Sequence, residues 1–397
     1  MSSVQGSPIS PTAHPALERA LREKLLRRSE TAGSLGELEP LAVRLGLIQG
    51  NLKPSLREPQ MLVFAGDHGF VVDRILPPSR STATQVRELL EARLPLPVFC
   101  RIQGVALNVI DAGVAEALPA HAGLMARKIA HGTRNTRVGQ AMTLSQAHAA
   151  IRAGMEIADT LPGNLLAVAG VGEGAFEASA LIIARLGDGT VSLRQLLATP
   201  TLLAQQDLSR QLVVLQGAQG RHKAVEDPVE VMAAFGGYEV AMMVGALLVA
   251  ASKRSLIVID GLPACAALLV ASRIAPAVLD YCVFSRSHPH PGLTAALKLF
   301  EATALLEMGM SSTDGTGAVL AWPLINSAAA LLTEVAEGEL PGETYPAELD
   351  DALIVGQDAA ESAGDHVELP VEALGASNLG VTIEPPQAPR EAMDTQR

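Results

Sequence analysis

The chain has 397 residues, enough for two or three domains or for one large α/β core with an appendage. Hydrophobic residues make up 48% of it and aromatic residues only 3%, which argues against a single-stranded nucleic-acid platform of stacked aromatic side chains. Its net charge of -12 argues against nucleic acid or an anionic membrane as the main partner. Cys100, Cys265 and Cys282 are too few and too scattered for a disulfide framework or a zinc site, so we expect buried thiols in a protein of the reducing cytoplasm.

The first elements in chain order are helical. Residues 17–28 and 35–48 alternate apolar and charged side chains at helical spacing. The residues before them lack both a basic region and a continuous apolar block, so no secretory signal is predicted. The uncharged run at residues 315–333 is interrupted by Gly, Pro, Asn and Ser, and it predicts a loop and a buried helix rather than a membrane span.

Short apolar runs that end in small and polar residues follow these helices. The first is residues 60–64, which lead into Asp67, His68 and Gly69. Four further runs repeat the pattern, the last of them less regularly: residues 105–110, 165–169, 255–259 and 278–284. A strand, a Gly or Asp turn and a helix, repeated along a chain, predict a doubly wound parallel sheet. Ligands of such sheets bind beyond the carboxyl ends of the strands, where these turns converge.

Helices are predicted between the strands. Thr143 and Gln146 form a capping-box pattern at the start of residues 143–161. Three further segments are helical by length and are rich in Ala, Leu and Val: residues 178–186, 237–251 and 264–274. Such small and aliphatic side chains suit helices that pack closely on a parallel sheet.

Two glycine turns are candidates for chemistry. Gly170, Gly172 and Gly174 open onto a helix, where backbone N–H groups would hold a phosphate, but tight packing explains the same glycines equally well. No acidic residue follows at the spacing of a dinucleotide-binding motif, and Glu173 would repel a phosphate unless it is turned away. In the second turn Asp314 precedes an apolar helix, so it is either a general base or the cap of that helix.

Two polar pairs are weaker candidates. Asp67 and His68 are adjacent on extended backbone and point to opposite faces, so at most one of them faces a ligand. His288 and His290 have a spacing that suits a metal ion, but no carboxylate or third histidine is near them in the sequence. A loop turn is the preferred interpretation of that pair, and we predict neither a metal ion nor a cofactor.

A series of short segments resembles the nicotinate-nucleotide dimethylbenzimidazole phosphoribosyltransferases. In chain order they are residues 64–69, 128–135 with 141–143, 227–228, 236–241, 259–261 with 266–268, and 306–310 leading into 314–318. The resemblance covers residues 60–334. No single segment is specific to the family, but the set in this order is typical of it.

The resemblance implies an α/β fold, a three-layer Rossmann-like parallel sheet with a smaller helical domain built from both termini. It places the small domain at residues 1–59 and 326–340 and the catalytic core at 60–325. Composition predicts an acidic, flexible tail at 341–397, since 14 acidic and only 2 basic residues lie between 337 and the end. The resemblance also implies a dimer with the active site near the subunit interface, either a homodimer or a heterodimer with a related subunit.

The implied reaction transfers a 5-phosphoribosyl group from nicotinate mononucleotide to a benzimidazole-type base and releases nicotinate. The catalytic carboxylate of the family is a Glu in a Gly-Glu-Gly-Ser/Thr-Gly-Ala motif, and the matching residue here is Asp314. The resemblance places the substrates on a set of turn and helix-start residues: Asp67, Gln85, Gly170, Gly172, Glu173, Gly174, Asp260, Ser285, Arg286, His290, Gly315, Thr316 and Gly317.

Several of these positions depart from the family pattern. An Asp at position 314 reaches about 1.5 Å less far than a Glu, and a displacement of that size costs on the order of 100-fold in rate. The Glu, Asn and Thr pair of the family's phosphate loop are absent around Gly172 and Gly174. Two explanations stay open: a site retuned to another base or nucleotide, with Arg286 or His290 in new roles, or a weakly active or inactive relative that binds a related ligand or completes a partner subunit.

Overall fold

The computed structural model of the chain describes residues 8–28, 34–73, 80–187, 189–198, 204–286, 291–312 and 314–337. Their centre is one sheet of seven strands, all parallel, in the order β3-β2-β1-β4-β5-β6-β7. The strands are β1 (Gln60–Gly66), β2 (Ala106–Gly113), β3 (Leu124–Ala126), β4 (Leu165–Val171), β5 (Leu256–Ile259), β6 (Cys282–Arg286) and β7 (Ala304–Leu306). The predicted α/β class with a parallel sheet is confirmed.

Helices cover the sheet. Within the described ranges they are α1 (Pro15–Leu26), α2 (Leu38–Gln49), α3 (Thr82–Leu90), α4 (Pro95–Gln103), α5 (Leu144–Thr160), α6 (Ala175–Leu186), α7 (Leu193–Leu197), α8 (Ala204–Arg221), α9 (Pro228–Phe235), α10 (Tyr238–Ser252), α11 (Gly261–Ile274), α12 (Pro291–Leu299) and α13 (Thr316–Thr333). The chain order runs from β1 outward to β2 and then from β4 outward to β5 and β6. Because such crossovers are right-handed, this reversal puts helices on both faces of the sheet.

Apart from Gln60 at the start of β1, the central strands β1 and β4 have no polar side chains, because both of their faces are covered. Every residue of β1 and β4 is buried. Helix α10 packs on these strands with α5 and α11 beside it. The predicted capping box of α5 is confirmed, since Gln146 N–H donates to Thr143 Oγ1 at 3.1 Å and Thr143 N–H donates to Gln146 Oε1 at 3.0 Å.

Four predicted strands are confirmed with small shifts of their ends, and the fifth is partly wrong. Within residues 278–284 the strand begins only at Cys282, because Pro276–Tyr281 forms a 3-10 helix. Pro276 fixes a helical φ at the start of that turn, and Val278 and Tyr281 are buried by it. A short buried apolar run does not by itself distinguish a strand from such a turn.

The two ends of the described chain meet. Lys24 Nζ and Arg27 Nη1 lie 3.5 and 3.4 Å from the carboxylate of Glu337, and Arg28 pairs with Glu337 in an isolated β-bridge. Helix α13 contacts α1 and α2 as well as α4 and β6. It is long and apolar enough to cross a membrane by length and composition, and half of it is buried in these contacts, as in a core helix.

The predicted boundary at residue 325 falls inside α13, which runs unbroken past Pro323. A division of the body into a core and a helical domain from both termini therefore stays a prediction, with one helix belonging to both parts. The predicted tail at 341–397 lies outside the described residues.

Candidate active site

The candidate site lies at the carboxyl edge of the sheet, where the chain leaves β1 and β4 in opposite directions. This reversal is the position at which open α/β sheets bind ligands. Three groups of residues meet there: the turns after β1 and β4, the ends of β5 and β6, and the start of α13.

Asp67 ties the turn after β1 to its neighbours. Its Oδ2 accepts a hydrogen bond from Ala115 N–H at 2.7 Å, and its Oδ1 accepts one from the hydroxyl of Thr82. The Thr82 oxygen in turn accepts the N–H of Glu173 at 2.9 Å. Asp67, Thr82 and Glu173 thus form one chain of hydrogen bonds that joins β1, α3 and β4. Thr82 was missed by the sequence analysis, since no local pattern marks it.

His68 turns away from Asp67 into the interior. Its Nε2 lies 2.8 Å from Glu239 Oε1 in the first turn of α10, and both side chains are fully buried. Gly237 allows this placement, because a Cβ there would lie 2.1 Å from Glu239 Oε2. The Asp67 carboxylate and the His68 ring therefore both serve protein contacts. The sequence does not pair Glu239 with His68, because the two residues lie 171 positions apart and Glu239 stands out only within the family segment at residues 236–241.

The pKa values around this pair are shifted upward. Burial by itself lowers the pKa of His68, but the charge and hydrogen bond of Glu239, with Asp67 and Glu177 nearby, more than offset it, and the pKa is raised. Burial raises the pKa of Glu177, against a hydrogen bond from its own backbone N–H and the charge of His68. The acidic side chains at the base of the glycine turn after β4 thus favour the protonated form of the buried His68.

The glycine turn after β4 is needed for packing. Gly172 has φ +151°, and a Cβ there would lie 1.8 Å from the carbonyl oxygen of Gly66. Gly174 has φ +86° and begins α6, while Gly170 is buried in β4. The N–H of Glu173 is used by Thr82, and the N–H of Ala175 donates to Gly172 O at 3.2 Å. The amides of Glu173 and Ala175 are therefore already used by protein acceptors.

Asp260 and Arg286, at the ends of β5 and β6, form a buried ion pair. Arg286 Nε donates to Asp260 Oδ1 at 2.5 Å, and Asp260 Oδ2 accepts the N–H of Gly317 at 2.9 Å. Arg286 Nη1 donates to Met310 O at 2.6 Å. Ser285 Oγ donates to Ile259 O at 3.1 Å and joins the two strands.

Asp314 is separated from α13 by the N-cap residue Gly315, and its side chain accepts the N–H of the first helical residue, Thr316. Its Oδ1 accepts hydrogen bonds from Thr316 N–H at 3.1 Å, from Thr316 Oγ1 at 2.5 Å and from the hydroxyl of Ser312. Its Oδ2 makes no hydrogen bond within the described residues. Burial, followed by the charge of Asp314, raises the pKa of Cys100 to about 12, which places the carboxylate near α4. Both roles that the sequence left open are compatible with this geometry, one for each oxygen.

Three predicted substrate-binding residues remain: Gln85, His290 and Gly315. Gln85 lies in the first turn of α3, and its Nε2 donates to Arg80 O at 2.9 Å. His290 and the neighbouring His288 lie outside the described residues. Gly315, with φ +92°, brings the Asp314 turn onto β4, since a Cβ there would lie 3.1 Å from the Cβ of Ala169.

Two cavities lie away from these groups. One of about 760 Å³ is lined by residues near the C-terminal ends of α6, α11 and α12, at the opposite edge of the sheet. Another of about 280 Å³ lies between α2 and the chain around β6 and β7. Neither cavity includes a predicted site residue.

Comparison with known proteins agrees with the observed fold. A sequence model of a phosphoribosyltransferase family matches residues 10–340. The nicotinate-nucleotide dimethylbenzimidazole phosphoribosyltransferase of Cupriavidus taiwanensis is 41% identical over 333 residues, which are 83% of this chain and 94% of that protein. The corresponding protein of Cupriavidus necator is 41% identical over 334 residues, with 83% and 95% covered.

The same similarity holds for a solved structure. The crystal structure of the nicotinate-nucleotide dimethylbenzimidazole phosphoribosyltransferase from Thermus thermophilus matches this fold with a TM-score of 0.73 at 30% identity, covering 82% of this chain and 97% of that one. The fold is thus that of an α/β phosphoribosyltransferase. The chain belongs to the nicotinate-nucleotide dimethylbenzimidazole phosphoribosyltransferase family, as its sequence segments indicated.

Proposed function

We propose that the protein transfers the 5-phosphoribosyl group of nicotinate mononucleotide to a benzimidazole-type base, in the assembly of the lower ligand of cobamides. The products are nicotinate and an α-ribazole phosphate. Membership of the family supports the reaction class. The observation that carries the assignment is the position of Asp314, whose Oδ1 is fixed by Ser312 and Thr316 while Oδ2 has no partner among the described residues.

Asp314 is the proposed general base. A ring nitrogen of the incoming base attacks the anomeric carbon of the ribose, the bond from that carbon to the nicotinate nitrogen breaks, and nicotinate leaves with the electron pair. Positive charge develops on the attacking ring, and Oδ2 of Asp314 takes the proton from its other nitrogen. The three donors on Oδ1 hold the carboxylate in one orientation, which lowers the cost of reaching the transition state.

The glycine turn after β4 is the proposed seat of the ribose phosphate. Gly315 packs against Ala169 of β4, so Asp314 and this turn are neighbours across the edge of the sheet. Amides of the turn that Thr82 and Gly172 do not use, together with the N-terminus of α6, suit an anion. Asp67 and Thr82 fix the turn from the side of β1.

Assembly and location complete the proposal. We expect a homodimer, with a heterodimer of this chain and a related subunit as the alternative, and a protein that works in the cytoplasm. Sedimentation of the purified chain alone separates these assemblies, since only the homodimer forms without a second gene product.

The decisive experiment incubates the purified chain with nicotinate mononucleotide and 5,6-dimethylbenzimidazole and detects nicotinate and the riboside phosphate by mass spectrometry. Product is expected from the wild type. Asp314→Asn should lower kcat by about 100-fold or more, the range of general-base contributions, with nucleotide binding nearly unchanged.

Asp227→Asn is the matched control. Asp227 caps α9 by accepting the N–H groups of Val229 and Glu230, and it has no place in the candidate site. The Asp227→Asn variant should lose about as much stability as Asp314→Asn does, and its turnover should stay at the wild-type value. Equal turnover in the two variants would show that Asp314 only stabilises the start of α13 and is not the general base. No product with benzimidazoles, phenols or purines would overturn the proposed activity.

A further inference from the structure

One buried ion pair contacts the chain on both sides of Asp314. Arg286 Nη1 donates to the carbonyl oxygen of Met310 at 2.6 Å. Asp260 Oδ2 accepts the N–H of Gly317 at 2.9 Å and, more weakly, that of Ala318 at 3.4 Å. The two side chains are joined by the 2.5 Å hydrogen bond from Arg286 Nε to Asp260 Oδ1.

The pair is closed off from solvent and ligands. Asp260 is 1% exposed and Arg286 is 4% exposed. Gly317 lies so close that a Cβ there would be 2.8 Å from both Arg286 Cδ and Asp260 Oδ1. The pair is also rigid, since α11 begins at Gly261, directly after Asp260, and Ser285 fixes the end of β6 to Ile259.

The N-terminus of α13 is consequently occupied by two carboxylates. Thr316 N–H donates to Asp314, and Gly317 N–H donates to Asp260. These amides would otherwise suit a phosphate. With both of them used, this end of the helix serves to place Asp314 rather than to bind an anion.

We propose that Asp260 and Arg286 are positioning residues for Asp314 and do not contact the substrates. The inference rests on the proposed role of Asp314 as the base. Arginine is required because its planar guanidinium reaches the Asp260 carboxylate and the Met310 carbonyl at once, which a lysine ammonium does not do. Loss of the contacts that Arg286 makes with Asp260 and Met310 should displace Asp314 from the reacting base. A displacement of about 1 Å costs on the order of 100-fold in rate.

The test compares Arg286→Lys with Arg254→Lys. Arg254 also donates to two carbonyl groups, Ile48 O at 2.8 Å and Leu47 O at 2.9 Å, but it precedes β5 at the opposite edge of the sheet. Arg286→Lys should lower kcat by about 10- to 100-fold with the KM for nicotinate mononucleotide within about twofold of the wild type. Arg254→Lys should change neither value by more than about twofold.

The double variant with Asp314→Asn shows whether Arg286 acts through Asp314. Residual turnover, measured at high enzyme concentration, should be the same in Asp314→Asn and in the double variant. Once the carboxylate of residue 314 is gone, displacing that residue should lower the rate no further. A further loss as large as in the wild-type background would overturn the proposal. A higher KM with unchanged kcat would also overturn it, because Arg286 would then be a substrate ligand.

Amide hydrogen exchange separates failure of this inference from failure of the proposed function. Exchange at Gly317 and Ala318 should be faster in Arg286→Lys than in the wild type and unchanged in Arg254→Lys. Unchanged exchange in Arg286→Lys would overturn the positioning role whatever the activity. Faster exchange in Arg286→Lys, combined with a wild type that makes no product, would support the positioning contact and count against the proposed reaction alone.

Discussion

His68 Nε2 and Glu239 Oε1 lie 2.8 Å apart, and neither side chain is exposed to solvent. The other polar atoms of the two side chains, His68 Nδ1 and Glu239 Oε2, have no hydrogen-bond partner in the described part of the chain. Each of these two buried side chains therefore depends on the other for its hydrogen bond, and Glu239 also lies at the positive N-terminus of α10. The pair supports the turn after β4, because His68 N–H donates to Glu173 O at 3.3 Å.

Stability should fall as the pH rises above 6.5, the ordinary pKa of a histidine. The pKa of His68 is raised in the folded state, so the folded protein binds more protons than the unfolded chain in this range. The stabilisation is complete below the unfolded pKa and is lost as the pH rises through the folded one. The free energy of unfolding should decrease by at most about 1.4 kcal/mol per pH unit, as measured by urea denaturation.

Glu239→Gln and His148→Gln test the origin of this slope. Removing the Glu239 charge should cost about 3 to 5 kcal/mol at pH 6.5 and flatten the slope, because a buried charge loses its partner. Burial lowers the pKa of His148, with help from Arg152, so it titrates below this pH range and its variant should keep the slope. An unchanged slope in Glu239→Gln would show that another group produces it.

Local sequence patterns predict the central part of the fold because local chemistry determines it. The capping box at Thr143 and Gln146 and the apolar runs of β1 and β4 have the geometry that their patterns indicate. The strands β3 and β7 have three residues each and exist only through pairing with β2 and β6. No local pattern specifies such short edge strands.

The candidate site was predictable only in part. The turn glycines and Asp314 stand out because Gly and Asp are typical of the turn between a strand and a helix, where such sheets bind ligands. The contacts of His68 with Glu239 and of Thr82 with Glu173 join residues 171 and 91 positions apart, which a single sequence does not pair. An Asp before a helix suits both a cap and a base. In the structure one oxygen of Asp314 accepts the N–H of Thr316, while the other has no hydrogen-bond partner within the described residues.

Thr82→Val should remove the hydrogen bonds that link the turn after β4 to the turn after β1. Valine has the shape of threonine without the hydroxyl that joins Asp67 to the N–H of Glu173. The buried groups left unpaired should cost about 1 to 3 kcal/mol of stability. Because the turn is the proposed phosphate site, the KM for nicotinate mononucleotide should also rise, measured by nicotinate release.

Thr136→Val is the matched control for this variant. Thr136 is equally buried and donates to Ala234 O at 2.7 Å, away from the candidate site. The Thr136→Val variant should lose as much stability as Thr82→Val does, but its KM for nicotinate mononucleotide should not change. Thr82→Ser keeps the hydroxyl, so its stability and its KM should both stay at the wild-type values. A rise of KM in Thr136→Val equal to that in Thr82→Val would attribute the effect to general loosening of the fold.

Gly172→Ala should be far more costly than an ordinary glycine substitution. A Cβ there would lie 1.8 Å from the backbone oxygen of Gly66, at a φ of +151° that other residues rarely adopt. Both backbones must move, and we expect a loss of more than about 3 kcal/mol in urea denaturation. Gly217→Ala, in α8 with no atom within 4 Å of the new Cβ, should instead stabilise the protein by about 0.5 to 1 kcal/mol.

The same variant decides between the two roles that the sequence left open for this turn. If Gly172 serves packing and phosphate binding together, Gly172→Ala should also weaken the binding of nicotinate mononucleotide, measured by calorimetry under conditions where the variant is folded. A folded variant with wild-type affinity would limit this glycine to packing against Gly66. A variant with wild-type stability would contradict the close approach of the two turns, from which the position of the proposed phosphate site follows.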